Sequence, residues 1–286
     1  MTTDNGQQTT DNRQLDDLIN AVLDSPKYRT ICVDLVRRIG LRELESRRNF
    51  KESVKATRNK LHQVAGAYFE SKPDYAGWTA QLEQTAGDSE QLRSACLSIM
   101  RRHASTRERL GILEQVYATT LANIPPVHSI LDVACGLNPL AHAWMPLAPD
   151  ATYYACDIYS DMIDFLNTFF TLASVPGNAF VCDLISHPPQ HEVDLALALK
   201  ILPPLEQVDK SAGINLLRSL NARHVLVSFP AQSLSGRNKR MAENYEQRFR
   251  TLVADEGWNI ERFAFSNELA FFVRKKPRTD QDAEQS

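Results

Sequence analysis

The pattern of apolar and polar positions divides the chain in two. From Leu15 to about Arg102, apolar residues recur at intervals of three and four, as in Leu44, Val54, Leu61, Val64, Ala65 and Tyr68. This is the spacing of helices that bury one face. Pro26, Gly40, the pair Lys72-Pro73 and Gly87-Asp88 interrupt it, so the segment predicts four or five helices and no strand. Past residues 103–109 the period changes. Ser105 and Glu108 have the spacing of a capping box that opens a helix carrying Leu110, Leu113, Val116, Tyr117 and Leu121. Short apolar runs then alternate with helical stretches. Strands are predicted near 128–133, 151–156, 179–182, 193–199 and 223–229, and helices over 139–147, 160–173 and 206–220. Such alternation builds a parallel sheet with helical crossovers. The runs 260–265 and 269–273, joined by Ser266-Asn267-Glu268, predict a closing antiparallel hairpin.

Residues 1–14 and 277–286 are polar and aperiodic, and are expected to be disordered tails. Between them the chain is expected to form a helical domain over 15–104 and an α/β domain over 105–276. The composition, 43% apolar and 23% charged, excludes collagen-like, coiled-coil and wholly disordered readings. The net charge of −3 conceals an asymmetry. Residues 27–60 hold eleven Lys/Arg against four Asp/Glu, a local excess of seven positive charges that leaves the remainder at −10. Such a block is either a solvated helix face or the footprint of a polyanion. The five cysteines are odd in number and lack metal-ligand spacing, which argues against a disulfide framework or metal site and for a reducing, cytoplasmic setting. The polar N-terminus has no apolar core, and no run approaches the ~18 apolar residues of a membrane span.

Candidate chemistry concentrates after the first strand, in Ile130-Leu131-Asp132-Val133-Ala134-Cys135-Gly136-Leu137-Asn138-Pro139. In a doubly wound sheet a ligand binds at the carboxyl ends of the strands, where Gly136 would admit a close approach. Asp157 ends the second strand at the position of a carboxylate that pairs with ribose hydroxyls. A dinucleotide loop wants a second glycine for its pyrophosphate, and Asn138 stands there instead. With only 11 glycines in 286 residues, the loop suits a nucleoside, favouring S-adenosylmethionine over NAD. Asp183, ending the third strand, could accept a hydrogen bond from an adenine amino group. The fourth strand ends in Leu199-Lys200-Ile201-Leu202-Pro203-Pro204 with no aromatic after the prolines. An acceptor with no proton to lose, such as a ring nitrogen, fits better there than an exocyclic amine.

Together, the segment 103–110 (HASTRERL), the loop 132–141 (DVACGLNPLA), and Ser228-Phe229-Pro230 with 233–237 (SLSGR) resemble the aminoglycoside-resistance 16S rRNA (guanine-N7) methyltransferases of the FmrO/Sgm/RmtB type. Leu61-His62 with Gly66-Ala67-Tyr68 resembles their helical N-terminal domain, and the likeness spans roughly residues 15–275. It implies a class I, Rossmann-like methyltransferase domain behind a helical RNA-binding domain, with S-adenosylmethionine as cofactor. It further implies that Arg109 pairs with the cofactor's methionine carboxylate, which His103, Ala104 and Ser105 flank. Ala134, Gly136, Asp157 and Ile158 would line the middle of the site, Asp183 and Leu184 would embrace the adenine, and Tyr68 would close over it. RNA contacts are expected from Arg37, Arg38, Arg47 and Arg48, from Lys200, and from Phe229, Arg237, Lys239, Arg240, Met241 and Tyr245. Basic and aromatic side chains of this kind suit a flipped base and its phosphates.

Guanine N7 offers an in-plane lone pair, so no catalytic acid or base is expected, and no metal. The expected partner is 16S rRNA within the 30S subunit, met by a monomer. Reversing charge at Arg37, Arg38, Arg47 and Arg48 is expected to weaken that binding and spare cofactor affinity. Two other readings stand beside this one: a small-molecule methyltransferase of secondary metabolism, and a non-enzymatic RNA-binding protein with a vestigial pocket.

Overall fold

Leu15, Leu18, Ile19 and Val22 form one buried stripe, and the helix that carries them, α1 (Asp4–Leu23), starts well before it. The computed structural model describes the backbone of residues 4–65, 72–85, 87–231 and 237–275, and their side chains apart from 4–11, 64–65 and 237–240. Residues 4–14, expected as a tail, therefore lie in a helix. Propagating an anchored helix costs far less than nucleating one, so polar residues extend the turns that Leu15 and Leu18 hold down. The second tail, 277–286, lies outside the described residues.

Helix α2 (Val33–Ser46) crosses α1 closely at Gly40, where a Cβ would come within 2.5 Å of Leu18 Cδ2. With α3 (Phe50–Ala65) these helices enclose a small core of Leu18, Val22, Leu35, Val36, Ile39, Val54 and Leu61. Helices α4 (Tyr75–Glu83) and α5 (Ser89–Met100) begin at Asp74 and Asp88, whose carboxylates accept from backbone N–H groups of the first turn. Their buried residues, among them Leu82, Cys96 and Ile99, share a core with the sheet, not with α1–α3. The helices that read as one block over 15–104 thus divide between two cores. Next come α6 (Ala104–Arg109), a short 3-10 turn (Leu110–Ile112) and α7 (Leu113–Thr120).

The strands are β1 (Ser129–Val133), β2 (Thr152–Asp157), β3 (Gly177–Val181), β4 (Val193–Leu199), β5 (Ala222–Pro230), β6 (Asn259–Ala264) and β7 (Glu268–Arg274). They form one sheet in the order β3-β2-β1-β4-β5-β7-β6. The first five are parallel, and β7 pairs antiparallel with both β5 and β6, as the closing hairpin requires. One face carries α4, α5, α7 and α8 (Ser160–Leu172). The other carries α9 (Leu202–Val208), α10 (Ala212–Ser219) and α11 (Arg237–Leu252). Strand order reverses between β1 and β4, which opens a crevice at their carboxyl ends.

Three expectations change in detail. The helix predicted over 139–147 is a 3-10 segment, Asn138–Trp144, tightened because the Asn138 side chain is tied inward and Pro139 donates no hydrogen bond. The helix predicted over 206–220 is broken at Asp209, whose side chain accepts from the N–H and hydroxyl of Ser211 and so competes with the helical ladder. The segment after β5, for which no helix is predicted, forms α11, whose Ala242, Tyr245, Phe249 and Leu252 pack on the sheet.

Candidate active site

A cleft opens where the sheet order reverses, floored by Ala134, Cys135 and Gly136 and walled by Asp157, Ile158, Asp183, Leu184, Leu199 and Lys200. Each of these follows or ends a parallel strand, so the topology alone gathers residues that span 67 positions of sequence. The floor turns sharply: Ala134 and Gly136 both have positive φ, 50° and 51°. A side chain at 136 would meet the His103 ring at 2.6 Å. Gly136→Ala is expected to cost about 1–2 kcal/mol from the left-handed backbone alone. Thermal denaturation checks this, and an unchanged melting temperature would refute the close packing.

Asp157 closes the floor. Its Oδ2 accepts from Gly136 N at 2.9 Å and its Oδ1 from Ile158 N at 2.7 Å. Burial raises its pKa, an effect these N–H groups partly offset. His103 is buried beneath Gly136, and burial, aided by the nearby Lys200 and Arg109 charges, lowers its pKa to about 4. It stays neutral near pH 7. Ser105 lines the cleft, whereas Ala104 begins α6 just behind it. The capping box is not formed: His103 is the N-cap residue, and Thr106 donates to the carbonyls of Met100 and His103. Glu108, freed from capping, accepts from Lys200 Nζ at 2.7 Å.

Arg109 is almost completely buried. Its Nε and Nη2 grip Glu268 (2.7 Å for Nη2 to Oε1), and its Nη1 donates to Asn138 Oδ1 at 2.9 Å. Tyr117 donates to the same oxygen, while Asn138 Nδ2 and the Tyr153 hydroxyl both donate to Asp132 Oδ2 at 2.8 Å. Burial raises the Asp132 pKa to about 7 against these bonds, whereas the Arg109 and Lys200 charges overcome burial and hold Glu268 below its ordinary value. This network fixes the loop from behind. Asn138, which stands where a dinucleotide loop has glycine, is its hub.

Arg38 departs most from expectation. Expected on the RNA face, it instead lines the cleft, with Nε and Nη2 on the two oxygens of Asp183 at 2.7 and 3.0 Å. The physical reason is its place on the buried side of α2, one turn after Leu35. Arg37, Arg47 and Arg48 remain exposed, Arg37 loosely paired with Asp16 and Arg47 with Glu43. Lys200 is mostly buried, at φ 60°, with Nζ also 3.6 Å from Glu268. Phe229 does not face a base. It is buried on a central strand, its ring stacked on Tyr245 and edge-on to Phe249 and Phe271. Met241 and Tyr245 are half-buried on α11. The side chains of Arg237, Lys239 and Arg240, and all of Tyr68, lie outside the described residues.

Sequence reasoning quoted Asp132 and Asn138 within the loop motif but gave them no structural role, and it passed over Tyr117, Tyr153 and Glu268 as site residues. Of these three, Glu268 carried a signal, a lone carboxylate opening an otherwise apolar strand. Among the described residues no group of three His, Cys, Asp or Glu could hold a metal ion, and no helix is long and apolar enough to cross a membrane.

Residues 24–273 match the family model described as ribosomal RNA methyltransferase (FmrO). The chain is 38% identical over 267 residues to a 16S rRNA (guanine(1405)-N(7))-methyltransferase of Frankia casuarinae, covering 91% of this chain and 94% of the relative. A protein of the same name from Serratia marcescens is 34% identical over 91% of this chain and 98% of its own length. Among solved structures, the 16S rRNA methylase RmtB superposes with a TM-score of 0.77 at 31% identity, covering 92% of this chain and 98% of that one. The 16S rRNA methyltransferase RmtF in complex with S-adenosyl-L-homocysteine gives 0.78 at 29%, with the same coverage. With a family match over residues 24–273, the chain belongs to the ribosomal RNA methyltransferase (FmrO) family.

Proposed function

We propose that this enzyme transfers a methyl group from S-adenosylmethionine to N7 of the guanine in 16S rRNA for which its relatives are named, and so confers aminoglycoside resistance. The observation that carries the reading is the cleft at the strand-order reversal, cut down to backbone at Gly136 and flanked by Asp157, in a chain that matches those relatives over nine-tenths of its length. The residues fit a nucleoside sulfonium. The floor has room only for glycine, two carboxylates stand in the wall, and His103 is neutral.

When bound, S-adenosylmethionine supplies an electrophilic methyl group on a positively charged sulfur. The protein's own part is positioning. Asp157 would hold the ribose, and Arg109, steadied by Glu268 and Asn138, would meet the carboxylate end beside His103, Ala104 and Ser105. The cations that line the cleft are paired with carboxylates, Lys200 with Glu108, Arg109 with Glu268 and Arg38 with Asp183. They therefore impose little repulsion on a cationic ligand. The acceptor nitrogen needs no proton removed, so no residue serves as a base. Aligning nucleophile, methyl and sulfur can supply roughly 7–11 kcal/mol. We assign RNA docking to α1–α3, whose exposed Arg37, Arg47 and Arg48 carry the basic block, with Lys200, Met241 and Tyr245 nearer the target base. The protein acts as a cytoplasmic monomer on the assembled 30S subunit.

The test is incubation of 30S subunits from a drug-sensitive bacterium with the enzyme and methyl-labelled cofactor, followed by mapping of the label. Label at N7 of that one guanine is expected. Label elsewhere, or none on 30S subunits, would overturn the reading.

A further inference from the structure

The helical module that carries the basic block is built into the cleft. Its connecting segment lies against the turn that follows Asp157: Cys32 N donates to Ile158 O and Ser160 N to Thr30 O, both at 2.7 Å, around a β-bridge between Ile31 and Tyr159. This contact sets the start of α2 over the cleft, and Leu35 and Arg38 become part of its wall beside Cys182, Asp183, Leu184 and Ile185.

Arg38 is only partly satisfied there. Its side chain is 13% exposed, and two of its three nitrogens are on Asp183. The third, Nη1, is buried and has no hydrogen-bond partner among the described residues. Such groups are rare in folded proteins and point to a missing acceptor. Asp183 is in the opposite state. Its oxygens accept from Arg38 Nε and Nη2, from Ser186 Oγ at 2.8 Å and from Ile185 N at 3.3 Å. Two carboxylate oxygens offer about four lone-pair sites, so none is left for the amino group of an adenine. The end of the cleft expected to accept from adenine therefore presents a buried donor.

We propose that Arg38 is a cofactor-binding residue supplied by the N-terminal module: its Nη1 donates to a ring nitrogen of the adenine, and Asp183 holds the guanidinium in place to do so. The inference rests on the reading of the cleft as the S-adenosylmethionine site. It makes that site a joint product of the RNA-docking helices and the sheet.

Calorimetric titration of the full-length protein with S-adenosylhomocysteine and its 1-deaza, 3-deaza and 7-deaza analogues tests it, since each analogue replaces one ring nitrogen by C–H. The parent protein is expected to bind one analogue about tenfold or more weakly than S-adenosylhomocysteine, the scale of a hydrogen bond from a charged donor. Arg38→Met combined with Asp183→Asn removes both charges together and keeps the fold free of a stranded carboxylate. This variant is expected to bind S-adenosylhomocysteine about tenfold more weakly and to lose the discrimination between analogues. If the parent binds all three analogues within about twofold of S-adenosylhomocysteine, the proposal falls, whatever the variant does. It falls equally if the double variant folds and discriminates as the parent does, because Arg38 then only neutralises Asp183. Failure of the parent to bind S-adenosylhomocysteine at all would overturn the reading of the cleft itself, and this inference with it.

Discussion

Replacing Glu268 by Ala is expected to destabilise the protein by about 3–5 kcal/mol, the range found when one member of a buried ion pair is removed. For a chain of this size that lowers the melting temperature by roughly 10 °C. The cause is Arg109. Its side chain is 1% exposed, three of its contacts go to Glu268, and without that carboxylate a full positive charge stays in the core. Pairing with Asn138 alone cannot compensate, because that oxygen already accepts from Tyr117. Changing both partners, Arg109→Met with Glu268→Leu, should recover most of the loss, since matched apolar replacements of a buried pair are often neutral or stabilising. The same double variant should bind S-adenosylhomocysteine poorly, because the guanidinium assigned to the carboxylate end is gone. Denaturant titrations of the three proteins separate the two roles. A loss below about 1 kcal/mol for Glu268→Ala would show that the pair is not desolvated.

The effect has a definite pH sign. Glu268 has its pKa held below the ordinary carboxylate value in the folded protein, so its contribution is fully present above that value. It is lost as pH falls through the folded pKa. The gap in stability between the parent and Glu268→Ala should therefore narrow in acid.

Reversing charge at Arg37, Arg47 and Arg48, each to Glu, is expected to weaken binding to 30S subunits by about a hundredfold at ~0.1 M salt, with cofactor affinity unchanged. All three are exposed on or beside α2; Arg37 is held only by the exposed Asp16, a pair of little worth, while Arg47 reaches back to the buried Glu43. Contacts of this type release counterions, so the slope of log affinity against log salt should shrink by roughly two to three. Arg38 must be left out of the set. Reversing it would place a carboxylate against Asp183 in the cleft wall, so the fourfold reversal expected from the sequence to spare the cofactor would not do so. Filter binding across a salt series, with calorimetry on the same preparations, checks the prediction. Unchanged 30S affinity would remove these arginines from the RNA face, and parallel loss of cofactor affinity would indicate misfolding.

What the sequence alone determined is the part of the protein governed by local rules. The switch from a period of three and four to short apolar runs separated the helices from the sheet, and each predicted strand is present within about two residues of its expected bounds. The floor of the cleft was legible for the same reason. Gly136 is required by its own φ, and Asp157 follows from where β2 ends. The basic block was visible as composition.

The tertiary structure decided the partners. Arg38 and Asp183 lie 145 residues apart, and Arg109 and Glu268 lie 159 apart. Nothing in the spacing around an arginine tells whether it faces phosphate, a cofactor or a buried carboxylate. That depends on which side of α2 packs inward and on which strand the closing hairpin lays beside β5. Phe229 shows the same limit from the apolar side. Its neighbours in sequence suggested a ring offered to a base, but its central strand and the covering helix α11 bury it. Backbone constraints act over a few residues and can be read along the chain. Desolvation and charge pairing act through space, and only the assembled sheet brought those groups together.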